Sequence, residues 1–236
     1  MSVARPKTRL FFGAPPPPGH LDIPAFLTRL GDIVDIPLVV RRYQRSGEVT
    51  RQSLNICKGE KVALIQFGGH ESVASWDEVC LPPGWVGVVI ITDGKGPSLP
   101  GHFRGVSKET YIPDLVEAAD VVVGKLGYGT CSEVISSDKS LVFVHRTNFN
   151  EEVGLMRLMK EHGCAVELSV GDFEKGKWSE AILEAEKAAE RRREARRKII
   201  LEEEGSDGGM LATSSISTDG GKVSVEKLLG VISRLQ

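Results

Sequence analysis

Val121-Val122-Val123-Gly124-Lys125-Leu126-Gly127-Tyr128-Gly129-Thr130-Cys131-Ser132-Glu133 is the stretch on which the fold turns. It opens with a β-branched run, short and apolar enough for a strand buried on both faces. It closes on Thr130 to Ser136, which reads as a helix with Thr130 as N-cap and Glu133 three residues on, the pattern of a capping box. Gly124, Gly127 and Gly129 lie between. A strand that passes through glycines straight into a helix is the crossing of a βα unit, and glycine there lets the backbone come close to a ligand.

Outward from this crossing the same grammar repeats. Val62 to Phe67, Val86 to Thr92, Leu141 to Val144 and Ala165 to Leu168 are further apolar runs of strand length. Amphipathic segments alternate with them. Asp114 to Ala119 has an acidic start, and Glu151 to His162 places Val153, Met156 and Met159 at helical spacing with Gly163 as its stop. Strands alternating with helices predict βαβ units, a parallel sheet and helices on both faces. The expected fold is therefore α/β, a Rossmann-like three-layer parallel sheet, over residues 58–180. Residues 1–57 read as an irregular N-terminal segment, because Pro15 to Pro18 followed by Gly19 can continue neither a helix nor a central strand. Within that segment Arg41 to Ile56 has helical spacing at Val49, Ser53 and Ile56. Residues 181–236 read as a C-terminal helical extension: a charged helix, a Gly/Ser/Thr-rich linker over 205–222, and a terminal helix carrying Val225, Leu228, Leu229 and Ile232. In the charged helix Ile182, Ala185, Ala188 and Ala189 make a narrow apolar stripe. The basic run Arg191 to Lys198 is followed by Glu202, Glu203 and Glu204, which favours a solvated helix held by i,i+4 pairs over a nucleic-acid patch.

Composition narrows the function classes. The formal net charge of −2 supplies no basic field for nucleic acid or anionic membrane, and an aromatic content of 6% disfavours a base-stacking platform. The cysteines Cys57, Cys80, Cys131 and Cys164 are widely spaced, with neither C-x-x-C nor zinc-site spacing, and read as free thiols. No apolar run approaches the ~20 residues of a membrane span. The first thirty residues lack the apolar core of a signal peptide, so the expected location is cytoplasmic. The G-x-G-x-x-G dinucleotide fingerprint, the Walker loop, H-E-x-x-H and a Ser/His/Asp arrangement are all missing, and no metal site is expected.

Three crossings carry the candidate ligand-binding residues. The first follows the Val62 run and holds Gly68, Gly69 and His70. The second is the opening stretch, where Gly127, Gly129 and Thr130 would face a diphosphate at the helix N-terminus, with Ser132 and Glu133 behind them. Glu133 has two readings, the capping box or an acceptor for a ribose diol. The third is Arg146-Thr147-Asn148-Phe149-Asn150-Glu151-Glu152. There Asn150, Glu151 and Glu152 offer acceptors at the same sheet edge, although carboxylates at a helix start are also explained by the dipole alone. All three lie at the carboxyl ends of strands, where open α/β sheets bind ligands. His145 reads as structural. No residue is assigned as the catalytic base.

Taken together, these stretches resemble the donor-binding C-terminal half of GT-B glycosyltransferases. The residues that carry the likeness are Tyr111-Ile112-Pro113-Asp114-Leu115, Ala118 to Lys125, and Gly127 to Glu133. Asp35 to Arg42, Phe67-Gly68-Gly69, Leu81-Pro82-Pro83-Gly84-Trp85 and Phe149-Asn150-Glu151-Glu152 add a more specific likeness, in the same order, to the glycosyltransferase-like N-terminal region of plant L-arabinokinases. The resemblance covers roughly residues 20 to 180. It implies a UDP-sugar site: Gly68 and Gly69 near the donor phosphates, Gly127, Gly129, Thr130 and Ser132 along the diphosphate, Glu133 near the ribose, and Glu151 and Glu152 at donor hydroxyls. In that last place Glu-Glu stands where such transferases often carry Asp-Gln. It implies no cofactor beyond the nucleotide sugar. It also implies an acceptor site supplied by another domain or a partner protein, with residues 1–57 as a hinge remnant. The P-x-x-x-G-L-S-S-S loop of a sugar-kinase half does not occur, so kinase activity is not implied. The functional expectation is a UDP-sugar-binding domain of a hexosyltransferase. The alternative is a non-catalytic sensing or interaction module of the same fold.

Overall fold

The computed structural model describes residues 8–9, 35–36, 38–67, 80–91, 99–146, 149, 151–204, 219 and 221–226. Its centre is β3 (Lys61–Gln66), an apolar strand with neighbours on both sides. Val62 and Leu64 point into one core and Ala63 and Ile65 into the other, the period-2 alternation of a strand buried on both faces. From β3 the chain steps outward through β4 (Trp85–Ile91) to β5 (Phe103–Ser107). It then returns across the sheet to β6 (Val121–Gly124) and continues to β7 (Ser140–Phe143) and β8 (Ala165–Glu167). The resulting order is β5-β4-β3-β6-β7-β8, with every pair parallel.

The expected Rossmann-like three-layer fold is what the structure shows. One layer packs α1 (Gly47–Ser53), α2 (Ile112–Ala118), α3 (Tyr128–Ser136) and α4 (Glu152–His162) on the Val62, Val122 and Phe143 side. The other packs α5 (Val170–Glu174) and α6 (Ser179–Glu204) on the Ala63, Val123 and Val142 side. The strand β5 does not figure among the apolar runs. Phe103-Arg104-Gly105-Val106-Ser107 is an edge strand, and its Gly105 faces Ile91 so tightly that an added Cβ would meet that side chain. The helix expected over Arg41 to Ile56 is shorter, starting only after Ser46, whose hydroxyl accepts from Val49 N–H. Before it, β1 (Thr8–Arg9) and β2 (Asp35–Ile36) form an antiparallel pair.

The charged helix α6 lays its stripe of Ala181, Ile182, Ala185 and Ala189 on the sheet. Trp178 anchors its start, fully buried, stacked on Phe173 and donating Nε1–H to the Phe173 carbonyl at 2.8 Å. The basic run departs from the expected i,i+4 pairing. Arg192 donates to the carbonyls of Gly163 and His162, two orphan acceptors at the end of α4, and Arg196 pairs with Asp138 at 2.8 Å. Its cations therefore fasten the helix to the body. Of the terminal helix, residues 221–226 are described and helical; the linker over 205–218 lies outside the described residues. Among the described residues no helix is long and apolar enough to cross a membrane.

Candidate functional site

The chain leaves β3 toward one edge of the sheet and leaves β6 toward the other, so the strand order reverses between these two neighbours. At such a reversal open α/β sheets bind ligands outside the carboxyl ends of the strands. Gln66, the last residue of β3, is register partner to Gly124, the last of β6. The first and second glycine crossings therefore begin side by side. Phe67 is the last described residue of the first; Gly68, Gly69 and His70 lie outside the described residues, as does Asn150.

The second crossing is described throughout. Gly124 has a packing reason to be glycine, because an added Cβ would run into the Gln66 carbonyl oxygen. Gly127 and Gly129 have no such reason. Among the described residues a Cβ at Gly129 would meet nothing within 4 Å, and one at Gly127 would meet only Thr130 Oγ1 at 4.0 Å. Neither has a positive φ. Gly127 is the N-cap of α3, with extended backbone at φ −137° and ψ 147°. The capping box is thus corrected: the helix begins two residues before Thr130, and no side chain caps it. The reason is local. Gly127 already has the extended conformation of a cap, and its carbonyl accepts from Cys131 N–H at 2.9 Å, so Thr130 falls inside the first turn. No acidic residue occupies that turn. The start of α3 presents amides and a positive dipole end with no carboxylate of its own.

Glu133 sits one turn further on, its side chain only 4% exposed. Oε1 accepts from Arg41 Nε at 2.7 Å, while Oε2 is buried without a partner among the described residues. It lines a crevice of about 340 Å³ together with Arg41, Tyr43, Pro113 and Ser136. The wall opposite the helix is the segment 38–46, tied down at several points. Val39 N–H donates to Tyr128 Oη at 3.0 Å. Gln44 and Arg45 N–H both donate to the buried Asp114 carboxylate, at 2.6 and 3.0 Å. Ser132 is fully buried with Oγ unpaired.

The third crossing is built differently. Glu152 is buried at the start of α4, and its carboxylate meets His145 Nδ1 at 3.0 Å and accepts from Arg146 N–H at 3.3 and 3.4 Å. His145 Nε2 lies 3.4 Å from Glu167. The hydrogen bond to Glu152 is the main cause of a raised His145 pKa, burial opposes it, and the two carboxylate charges add to it. Glu151 is exposed.

Arg41, Lys125 and Arg146 were not singled out as site residues from the sequence. A basic residue inside a glycine crossing was a readable signal for Lys125. Arg41 reaches Glu133 from 92 residues away, a contact no local pattern reveals. A larger cavity of about 450 Å³ lies at the opposite, amino end of the sheet, where Pro82, Pro83, Trp85 and His102 line it. Among the described residues its walls hold no Lys or Arg and no helix starts on it except at Ser179, so size alone is a poor guide to an anion site here. Among the described residues no group of His, Cys, Asp and Glu could hold a metal ion.

Comparison with known proteins agrees with this fold. The chain is similar to L-arabinokinase of Arabidopsis thaliana, 37% identical over 162 residues that cover 69% of this chain and 15% of that protein. Among solved structures it resembles CalG4, the calicheamicin glycosyltransferase, with a TM-score of 0.51 and 19% identity over 73% of this chain and 44% of that one. The spinosyn forosaminyltransferase SpnP gives a TM-score of 0.49 at 15% identity, covering 76% of this chain and 46% of its own. The chain thus spans a small part of its curated relative and less than half of each solved transferase. No family model matches.

Proposed function

We propose, for a chain that carries one half of the GT-B glycosyltransferase fold and is related in sequence to L-arabinokinase, that it binds the nucleotide-sugar donor of a hexosyl transfer, a UDP-sugar. One observation carries this reading. Gly127 and Gly129 open α3 where nothing among the described residues requires glycine, at the sheet's switch point, with no side-chain hydrogen bond capping the helix start among those residues. Glycine within a helix costs roughly 0.5–1 kcal/mol relative to alanine. A backbone left bare at that expense suits close approach by a pyrophosphate.

In this reading the amides of Gly129 and Thr130 hold the diphosphate, and the helix dipole stabilises the charge that grows as the sugar departs. Glu133 Oε2, buried and unpaired, accepts from a ribose hydroxyl, in line with the likeness described above. By the likeness described above, Gly68, Gly69 and His70 also serve the phosphates in this reading, and Asn150 and Glu151 serve the sugar. The acceptor comes from a second Rossmann half, whether elsewhere in a longer polypeptide or in a partner protein. Four unbridged thiols suit a reducing, cytoplasmic setting.

Calorimetric titration with UDP, UMP, uridine and ADP tests the proposal. UDP is expected to bind at least ~10-fold more tightly than uridine, the share of a charge-assisted phosphate contact. Glu133→Ala should weaken UDP and uridine alike. Equal affinity for UDP and uridine, or none for either, removes the donor site. Release of UDP from UDP-hexose once an acceptor-bearing partner is added marks a transferase; binding without release marks a sensing module.

A further inference from the structure

Arg146 stands between the third crossing and the second. Its backbone N–H is held by Glu152, its guanidinium lies on the Phe149 ring with Cζ 3.3 Å from the centroid, and its Nη2 donates to the carbonyl of Leu126. Leu126 is the residue immediately before Gly127, the N-cap of α3. Arg146 therefore grips the peptide that sets where α3 begins. Its Nε is buried without a partner among the described residues.

Arg146 also brings charge to a place where charge is costly. A cation beside a helix N-terminus opposes the positive end of the dipole. A second cation, Lys125, extends from the second crossing with Nζ 5.6 Å from the Phe67 ring centroid. Burial first, and Arg146 second, hold the Lys125 ammonium below its usual pKa. Burial pushes the Cys131 thiol up to about 12, while Arg146 pulls the other way, so the guanidinium field reaches the first turn of α3. No acidic residue in that turn offsets the two cations.

We propose that Arg146 is a positioning residue of the donor site: through Leu126 it fixes the peptide that starts α3, and with Lys125 it makes that start positive enough to need an anion. This rests on the donor-site reading for the identity of the anion, a nucleoside diphosphate, but the grip on Leu126 stands on its own. The cost of a positive helix start in the free protein becomes selectivity for charged ligands over neutral ones.

Arg146→Met and Arg146→Lys separate the two roles. Methionine keeps apolar contact with Phe149 and loses both the donor and the charge. Lysine keeps the charge without the fork that reaches Leu126. Arg146→Met should weaken UDP by ~10-fold at low salt, leave uridine within about twofold, and flatten the salt dependence of UDP binding. Arg146→Lys should restore the salt dependence. In the ligand-free protein both variants should speed exchange of the first hydrogen-bonded amides of α3, residues 131–134, by ~10-fold, since opening of this turn is no longer restrained. A merely structural arginine would lower the thermal midpoint and weaken UDP and uridine together, and that result overturns the proposal. So does unchanged exchange over residues 131–134. If the wild type binds no UDP, the donor reading falls, and the exchange comparison still decides whether Arg146 positions the crossing.

Discussion

The second and third crossings leave adjacent parallel strands at the same edge and both open helices, yet they treat the helix start in opposite ways. At α4 the protein answers its own dipole: Glu152 is buried there and takes His145 and the Arg146 amide. At α3 nothing of the kind occurs; the cap is Gly127, the first turn carries no acid, and the nearby charges are cations. A helix start whose dipole is offset by its own buried carboxylate is architecture. One that is left bare and made more positive is waiting for an anion. The comparison also splits the glycines of a single loop, since Gly124 is required by the Gln66 carbonyl and Gly129 by nothing among the described residues.

Mutations can break or sharpen this contrast. The largest effect belongs to Gly124→Val, which forces a side chain into the β3 backbone and should cost ~3 kcal/mol or more of folding stability in chemical denaturation. A loss below about 1 kcal/mol would mean that the β3–β6 seam is looser than the register implies.

Next comes Glu152→Gln, expected to cost ~1–2 kcal/mol because His145 and the Arg146 amide lose their charged acceptor. The raised His145 pKa gives the direction of its pH dependence. Stability from the pair is fully present below the unfolded histidine pKa, near ~6.5, and is lost as pH rises through the higher folded value. The gap between wild type and Glu152→Gln should thus be wider at pH 6 than at pH 8.5, and an NMR titration should show the His145 pKa falling in the variant. A gap that widens with rising pH contradicts the pairing.

Gly129→Ala should do the reverse of Gly124→Val. It should stabilise the free protein by ~0.5–1 kcal/mol, since alanine suits a helix better and meets no neighbour. It should also weaken UDP ~10-fold, or ~1.4 kcal/mol, by blocking the approach of phosphate. Alanine that destabilises the fold would show that Gly129 is structural after all. The smallest effect is that of Ser132→Ala. Removing a buried hydroxyl without a partner should raise stability by up to ~1 kcal/mol and leave UDP affinity within about twofold. A clear loss of affinity would restore Ser132 to the diphosphate lining.

The sequence displayed the central strands well, because β-branched runs such as Val121 to Val123 are buried on both faces and carry little else. It hid β5, where Arg104, Gly105 and Ser107 dilute the pattern of an edge strand. It placed the second crossing correctly but misjudged the helix start within it by two residues, because a glycine cap leaves no side-chain signature whereas Thr130 and Glu133 imitate one. The same imitation concealed Glu133's partner: Arg41 arrives through the fold of the segment 38–46 over α2 and α3. Glu151 and Glu152 looked alike in sequence, and only burial separates the exposed one from the one turned inward to His145.

A crystal structure of the protein with UDP tests the central claim most directly. The account predicts phosphate oxygens within ~3 Å of the Gly129 and Thr130 amides, the distance of an N–H···O bond, with the ribose turned toward Glu133. UDP seated instead in the cavity at Trp85, or a diphosphate that leaves the start of α3 untouched, would contradict it.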